Sequence, residues 1–264
     1  MPPLSFAFST CPNDTFAFHA LVHGLVPGPP IVPHMDDIEA LNLRAATPAA
    51  QVTKISLAAY LHQRDRFALL RSGGAAGFGV GPIIIARESR AVGGRVAIPG
   101  ETTTAALLLR MLGKFDTVAM RFDQVEDAVL RGDADCGVLI HEGRFTYQQK
   151  GLVLLRDLGE YWEQRMQCAL PLAAIAIRRD LLSQAPEIDA AIRASVEYAF
   201  AHPLASADYV REHAQEMDPT VAQRHISLYA NQYTLALDEA AIQRFITFAE
   251  EQGICPASTH AVFA

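Results

Sequence analysis

The sequence predicts an α/β protein of two lobes, the second inserted into the first, with a helical C-terminal tail packed on the first lobe. Three observations carry that expectation. Apolar runs of strand length alternate with helix-patterned segments from Leu4 onward, as in βα units. After Arg87-Glu88-Ser89-Arg90-Ala91-Val92-Gly93-Gly94 the pattern restarts, as it does where one lobe enters another. From Arg179 onward only helical patterning remains. These signals place residues 1–90 with 176–264 in a discontinuous α/β lobe and residues 91–175 in the inserted one.

Composition narrows the class. The chain has 264 residues, is half hydrophobic, carries 19% charged residues and has a net charge of -7, which suits an ordinary globular protein with a substantial core. No basic run or basic-aromatic patch offsets that charge, so nucleic acid is not an expected partner. No apolar segment reaches the roughly 18 residues of a membrane helix, and Met1-Pro2-Pro3-Leu4-Ser5-Phe6 lacks a basic region ahead of an apolar one, so neither membrane nor export is expected. Cys11, Cys136, Cys168 and Cys255 are scattered and form no CxxC pair; a reducing cytoplasm fits them better than a zinc site or a disulfide framework.

The first lobe begins with a strand over Leu4 to Ser9 that stops at Thr10-Cys11-Pro12-Asn13-Asp14-Thr15, where Asn13 or Asp14 is expected to cap a helix carrying Phe16, Ala20 and Leu21 inward. Ile31 to Met35 reads as an edge strand because Pro33 has no N–H for a ladder. Ile38, Leu41 and Ala45 have helical spacing, and Val52 to Ser56 forms a strand that presents Lys54 and Ser56 before a helix over Leu57 to Gln63. Gly73 to Gly81 precedes the strand Ile83 to Ala86 instead of opening a helix, so it reads as a flexible crossing and not as a nucleotide loop.

In the second lobe Arg95 to Ile98 is a strand and Pro99-Gly100 a turn, and Thr102-Thr103-Thr104 open the helix that continues through Met111. A strand over Thr117 to Arg121, a helix over Gln124 to Leu130 and a strand over Cys136 to Ile140 follow. Leu152 to Leu155 is one more apolar run, Gly159 to Arg165 a short helix holding the single tryptophan, and Leu172 to Ile177 the strand that returns to the first lobe. The tail reads as helices over Glu187 to Ala201, Ala205 to Gln215, Thr220 to Tyr229 and Glu239 to Gln252.

Candidate chemistry clusters at strand ends, where ligands of open α/β sheets bind. His141 follows the apolar run from Cys136, with Glu142 and Arg144 beside it, and imidazole is the side chain best matched to proton abstraction near neutral pH. The threonine-rich helix start after Pro99-Gly100 suits a carboxylate, through its N–H groups and the helix dipole. Lys54 is expected to balance such a carboxylate, and Cys11 to line the pocket rather than act as a nucleophile. His19 and His23 lie four apart without the Glu of HExxH or a third ligand, so no metal is expected.

Four motifs, Ser9-Thr10-Cys11-Pro12-Asn13-Asp14-Thr15-Phe16, Thr53-Lys54-Ile55-Ser56, Pro99-Gly100 with Thr103-Thr104-Ala105, and Ile140 through Tyr147, occur in an order and spacing that resemble the 1,4-dihydroxy-6-naphthoate synthases of the futalosine route to menaquinone. The resemblance runs nearly end to end. It implies a two-lobed, periplasmic-binding-protein-like (type II) architecture with an interlobe cleft, a cytoplasmic location, and a lyase that needs no cofactor. The implied reaction converts cyclic dehypoxanthinyl futalosine, a small-molecule carboxylate, to 1,4-dihydroxy-6-naphthoate and dihydroxyacetone. It further implies His141 as the proton-abstracting base and Lys54, Ile55, Ser56, Thr104 and Ala105 as substrate contacts, to which the local reading adds Thr103, Cys11 and Asn13. The chain departs from the family pattern at Thr10, where proline is common, and at Glu101-Thr102, where the resemblance leads one to expect a more basic or neutral pair. A chorismate dehydratase of the same route and a non-catalytic binder of small acids are the alternatives, and oligomeric state is left open.

Overall fold

Leu4–Ser9 (β1) puts Phe6 and Phe8 into the core, and their rings lie 5.2 Å from that of Phe18 on the following helix in edge-on contacts. Each such buried ring contributes about 1.5–3 kcal/mol. The fold comes from a computed structural model that describes residues 3–214 and 218–264. Helix α1 spans Pro12–Val22, with Cys11 at its N-cap and Pro12, whose missing N–H costs nothing there, in the first turn. Asn13 and Asp14 therefore lie inside the first turn, and neither caps the helix.

The chain continues through β2 (Ile31–Asp36), α2 (Ile38–Ala45), β3 (Val52–Ser56), α3 (Leu57–Tyr60), β4 (Phe67–Leu69) and β5 (Ala75–Gly77). Helix α3 is one turn long, short of the expected end at Gln63. The glycine-rich segment is no loose crossing at its start, because Gly73 to Gly77 are buried and include β5. A Cβ on Gly74 would sit 2.4 Å from Leu237, so packing and not flexibility requires glycine there.

The second compact unit runs from Phe78 to Leu170, and the first comprises Met1–Gly77 with Pro171–Ala264. These boundaries differ from those expected at 90/91 and 175/176. Strand β6 (Ile83–Ala86) pairs antiparallel with β9 (Cys136–Leu139) and β10 (Val153–Asp157), which assigns it to the second sheet despite its position ahead of the Gly93-Gly94 break. Between β6 and β9 come β7 (Arg95–Ile98), α4 (Thr104–Leu112), β8 (Asp116–Ala119), a 3-10 turn over Phe122–Gln124 and α5 (Val125–Arg131). After β9 come α6 (Gly143–Thr146), a second 3-10 turn over Tyr147–Lys150, then β10 and α7 (Leu158–Met166), which buries Trp162 completely. The sheet order is β10-β6-β9-β7-β8, with β9, β7 and β8 parallel to one another. Gly137 in mid-β9 admits α5, since a Cβ there would come within 2.7 Å of Val125.

Strand β11 (Leu170–Arg178) lies antiparallel to β3 and β4 in the first sheet, whose order is β2-β1-β3-β11-β4 with β5 also on β11. As expected from Pro33, β2 is an edge strand. After a 3-10 turn over Arg179–Gln184 the tail forms α8 (Ala185–Ala201), α9 (Ala207–His213), α10 (Pro219–Tyr229), α11 (Gln232–Leu235) and α12 (Glu239–Glu251). Gln215, the expected end of the second tail helix, lies outside the described residues. Ser195 on α8 donates to the Ala17 carbonyl at 2.7 Å and accepts from Leu21 N at 3.0 Å, fixing α8 to α1. The last residues are not helical: Leu69 N donates to Val262 O and Ala264 N to Leu69 O, so the terminus runs beside β4.

Candidate functional site

In the first unit the carboxyl ends of β1 and β3 meet at a buried ion pair. Lys54 Nζ donates to Asp14 Oδ1 at 2.6 Å and to the Gly73 carbonyl at 3.0 Å, and both charged side chains are at most 4% exposed. A lysine in an apolar strand requires such an answer, since an unpaired buried charge is very costly. Asp14 is saturated: its Oδ1 also accepts from Asn13 Nδ2 at 3.0 Å, and its Oδ2 accepts from Ser9 Oγ at 2.7 Å and Ser9 N at 3.2 Å. Lys54 thus does not stand as a lone cation awaiting a carboxylate. Asp14 already neutralises it.

The other predicted residues of this unit surround that pair. Cys11 is buried at the α1 N-cap, and its N–H reaches Ser9 Oγ at 3.4 Å. Asn13 joins Asp14 to His225 of α10, whose Nε2 lies 2.9 Å from Asn13 Oδ1. Ser56 is held by Asn42, which accepts from Ser56 N at 2.8 Å and donates to Ser56 Oγ at 3.0 Å. Ile55 is fully buried, opposite Ala174 of β11. Sequence reasoning missed Asn42, His225 and the true role of Asp14. The signal for Asp14 was present, because a charged residue amid Val52, Thr53 and Ile55 demands a carboxylate, and the adjacent β1–α1 turn supplies one.

In the second unit three parallel strands end together. The segment after β7 leads through Gly100 (φ 131°) to Thr103, the N-cap of α4. Thr103 Oγ1 accepts from Ala106 N at 3.1 Å and donates to Gly100 O at 3.0 Å, so its one proton is committed. The first N–H groups of this helix belong to Thr104 and Ala105, both buried residues. Glu101 turns outward to Arg110 at 2.7 Å, which removes its charge from the helix start.

His141 lies two residues past the end of β9 with φ 55°, a left-handed conformation uncommon for a side chain other than glycine. Such a backbone costs on the order of 1–3 kcal/mol and persists where the surroundings impose it, often at functional sites. Phe122, just past β8, packs its ring edge-on against the imidazole at 4.9 Å and 75°. Arg144 donates to Gly81 O and pairs with Asp157 at 3.2 Å, while Asp157 caps α7; Arg144 is thus a structural tie between the His141 turn and its neighbours. Glu142 is buried in the same turn.

Outside these edges, the His19 and His23 rings lie 4.4 Å apart between centroids and tilted by 37°, and among the described residues no group of three or more His, Cys, Asp or Glu side chains is arranged to hold a metal ion. The four cysteines are free thiols. No helix among the described residues is long and apolar enough to cross a membrane.

Two sheets with mixed strand directions, the second formed within a break in the first, define a protein of the periplasmic-binding-protein fold. The alkanesulfonate-binding protein of Xanthomonas axonopodis shares that fold at TM-score 0.74 and 12% identity, covering 97% of this chain and 95% of its own. A crystal structure of an Archaeoglobus fulgidus protein is nearer, with TM-score 0.91, 35% identity and coverage of 96% and 98%. The chain belongs to the menaquinone biosynthesis family, whose model matches residues 4–251. It is 45% identical to the 1,4-dihydroxy-6-naphthoate synthase of Thermus thermophilus over all of both chains, and 45% identical to that of Streptomyces coelicolor over 96% of this chain and 95% of the relative.

Proposed function

We propose that the protein is a lyase converting cyclic dehypoxanthinyl futalosine to 1,4-dihydroxy-6-naphthoate and dihydroxyacetone, with His141 as the base and without a cofactor. The observation that carries this reading is the left-handed His141 at the end of β9, in the sheet whose neighbouring strand β7 leads into the N–H groups of Thr104 and Ala105. The full-length similarity to two proteins named as naphthoate synthases supports it.

In this reading a neutral imidazole takes a proton from a carbon beside a carbonyl, and the electron pair left behind drives opening of the substrate ring. The turn tied down by Arg144 holds His141 in place, and the edge-on Phe122 ring shields one side of the imidazole. Lys54, Ile55, Ser56, Thr103, Thr104, Ala105, Cys11 and Asn13 are the proposed substrate contacts. The reaction is placed in the cytoplasm, in keeping with four free thiols.

The test is incubation of the purified protein with cyclic dehypoxanthinyl futalosine and no additive, followed by mass spectrometry for naphthoate and dihydroxyacetone. His141→Ala is expected to abolish turnover while substrate binding stays measurable. Retained turnover removes His141 as the base, and binding by the wild type without turnover points to a binding protein. Loss of water from chorismate, with the futalosine derivative untouched, points to a dehydratase.

A further inference from the structure

Helix α10 buries one face through Val221, His225 and Tyr229, at i, i+4 and i+8. His225 has no exposed surface. Packing alone would be met by leucine at that position, whereas a buried imidazole carries a desolvation cost that its hydrogen bonds must offset.

The direction of the bonds that answer it follows from chemistry. The carboxylate of Asp14, paired with Lys54, only accepts, so the Asn13 atom 3.0 Å from Asp14 Oδ1 is the amide NH2 group. The other end of the Asn13 amide is then its carbonyl oxygen, which also only accepts. It lies 2.9 Å from His225 Nε2, so Nε2 carries the proton. A single directed chain thus runs from α10 to β3. His225 donates to Asn13, Asn13 donates to Asp14 Oδ1, and that same oxygen takes the Lys54 ammonium at 2.6 Å.

We propose that His225 is a positioning residue, which acts through Asn13 to fix the Asp14 carboxylate and with it the location of Lys54 Nζ. The inference rests on the reading of Lys54 as a substrate contact. His225 pins one end of the Asn13 amide and Asp14 the other; without His225 the amide is held at one end only, and one of the bonds that place the Asp14 Oδ1 beside the ammonium loosens. Docking of α10 is in this way read out at the end of β3, a strand it follows by more than a hundred residues.

Two substitutions separate positioning from packing. His225→Leu keeps the bulk and removes the donor, and it is expected to raise KM for the cyclic futalosine derivative about tenfold, the scale of one hydrogen bond lost from a charged network, with kcat changed less than about threefold. His225→Gln restores an N–H donor and is expected to return KM to within about twofold of wild type. Equal KM values in the two variants, or no change in either, overturn the proposal.

A second measurement needs no variant: side-chain 15N NMR of histidine-labelled wild type. It is expected to show His225 protonated on Nε2, with its signals moving when 1,4-dihydroxy-6-naphthoate is added. Protonation on Nδ1, or signals indifferent to saturating naphthoate, overturns the proposal. Failure of the wild type to make naphthoate counts against the functional reading, whereas the tautomer tests the chain of bonds independently.

Discussion

Replacing Asp14 by asparagine changes the shape of the β1–α1 turn very little and removes the charge that answers Lys54. At the observed 2.6 Å the attraction is about 6 kcal/mol for an effective dielectric of 20. Part of that is cancelled by desolvation, and severing one partner of a buried pair typically costs about 3–5 kcal/mol. The asparagine adds a second penalty. Its NH2 must replace either the oxygen facing Lys54 and Asn13 or the one facing Ser9 N and Oγ, and both are surrounded by donors. We therefore expect Asp14→Asn to lose about 3–5 kcal/mol in urea unfolding at neutral pH. Lys54→Met in the same background is expected to recover more than about 2 kcal/mol, because the stranded charge is gone. A single variant within about 1 kcal/mol of wild type, or strict additivity in the double variant, refutes the account of a mutually dependent buried pair.

The remaining expectations are local. His141→Gly relieves the left-handed backbone and should raise stability by about 1 kcal/mol in the same assay while eliminating turnover, a trade that an unstrained histidine would not show. Thr103→Ala removes the α4 cap and should cost about 1 kcal/mol, with Thr103→Ser recovering most of it. Burial, and then the charge of neighbouring His23, hold the pKa of His19 below the ordinary histidine value. The native state thus binds that proton less readily than the unfolded chain. Stability should be level above about pH 6.5 and fall as the pH drops through the window down to the lowered value. His23→Gln should lessen the fall measured by urea titration at several pH values, with Tyr209 of α9 left in place against His19.

Most strands and helices were legible because burial on one or both faces leaves a period in the sequence, as at Leu4–Ser9, Ile38–Ala45 and Cys136–Leu139. The unit boundary was not, because β6 belongs to the second sheet through pairing with β9 and β10, and pairing over some fifty residues leaves no local mark. The last three residues were missed for the same reason: they join the first sheet through Leu69, far back in the chain. At the candidate site, His141 and the Thr103 helix start were visible as polar groups at the ends of apolar runs. His225 was not, since nothing around Arg224 and Ile226 signals that the imidazole faces Asn13, 212 positions away. Cap and first turn were confused at Asn13 and Asp14 because both are good capping residues. The demand of buried Lys54 for a carboxylate decided the matter.

The charge arrangement also bears on how the proposed substrate would be recognised. At the edge of the first sheet Lys54 and Asp14 cancel, and near the start of α4 Glu101 is drawn off to Arg110. These charges are paired locally, and the chain as a whole has a net charge of -7, which does not favour long-range attraction of an anion. In the proposed reading, recognition rests instead on directed polar contacts at Lys54 and at the α4 start around Thr104 and Ala105. Short bonds of this kind are screened little by salt and depend steeply on placement. That dependence gives a physical reason for the saturated hydrogen bonding around Asp14, because a donor whose value lies in its position needs every neighbour that fixes it.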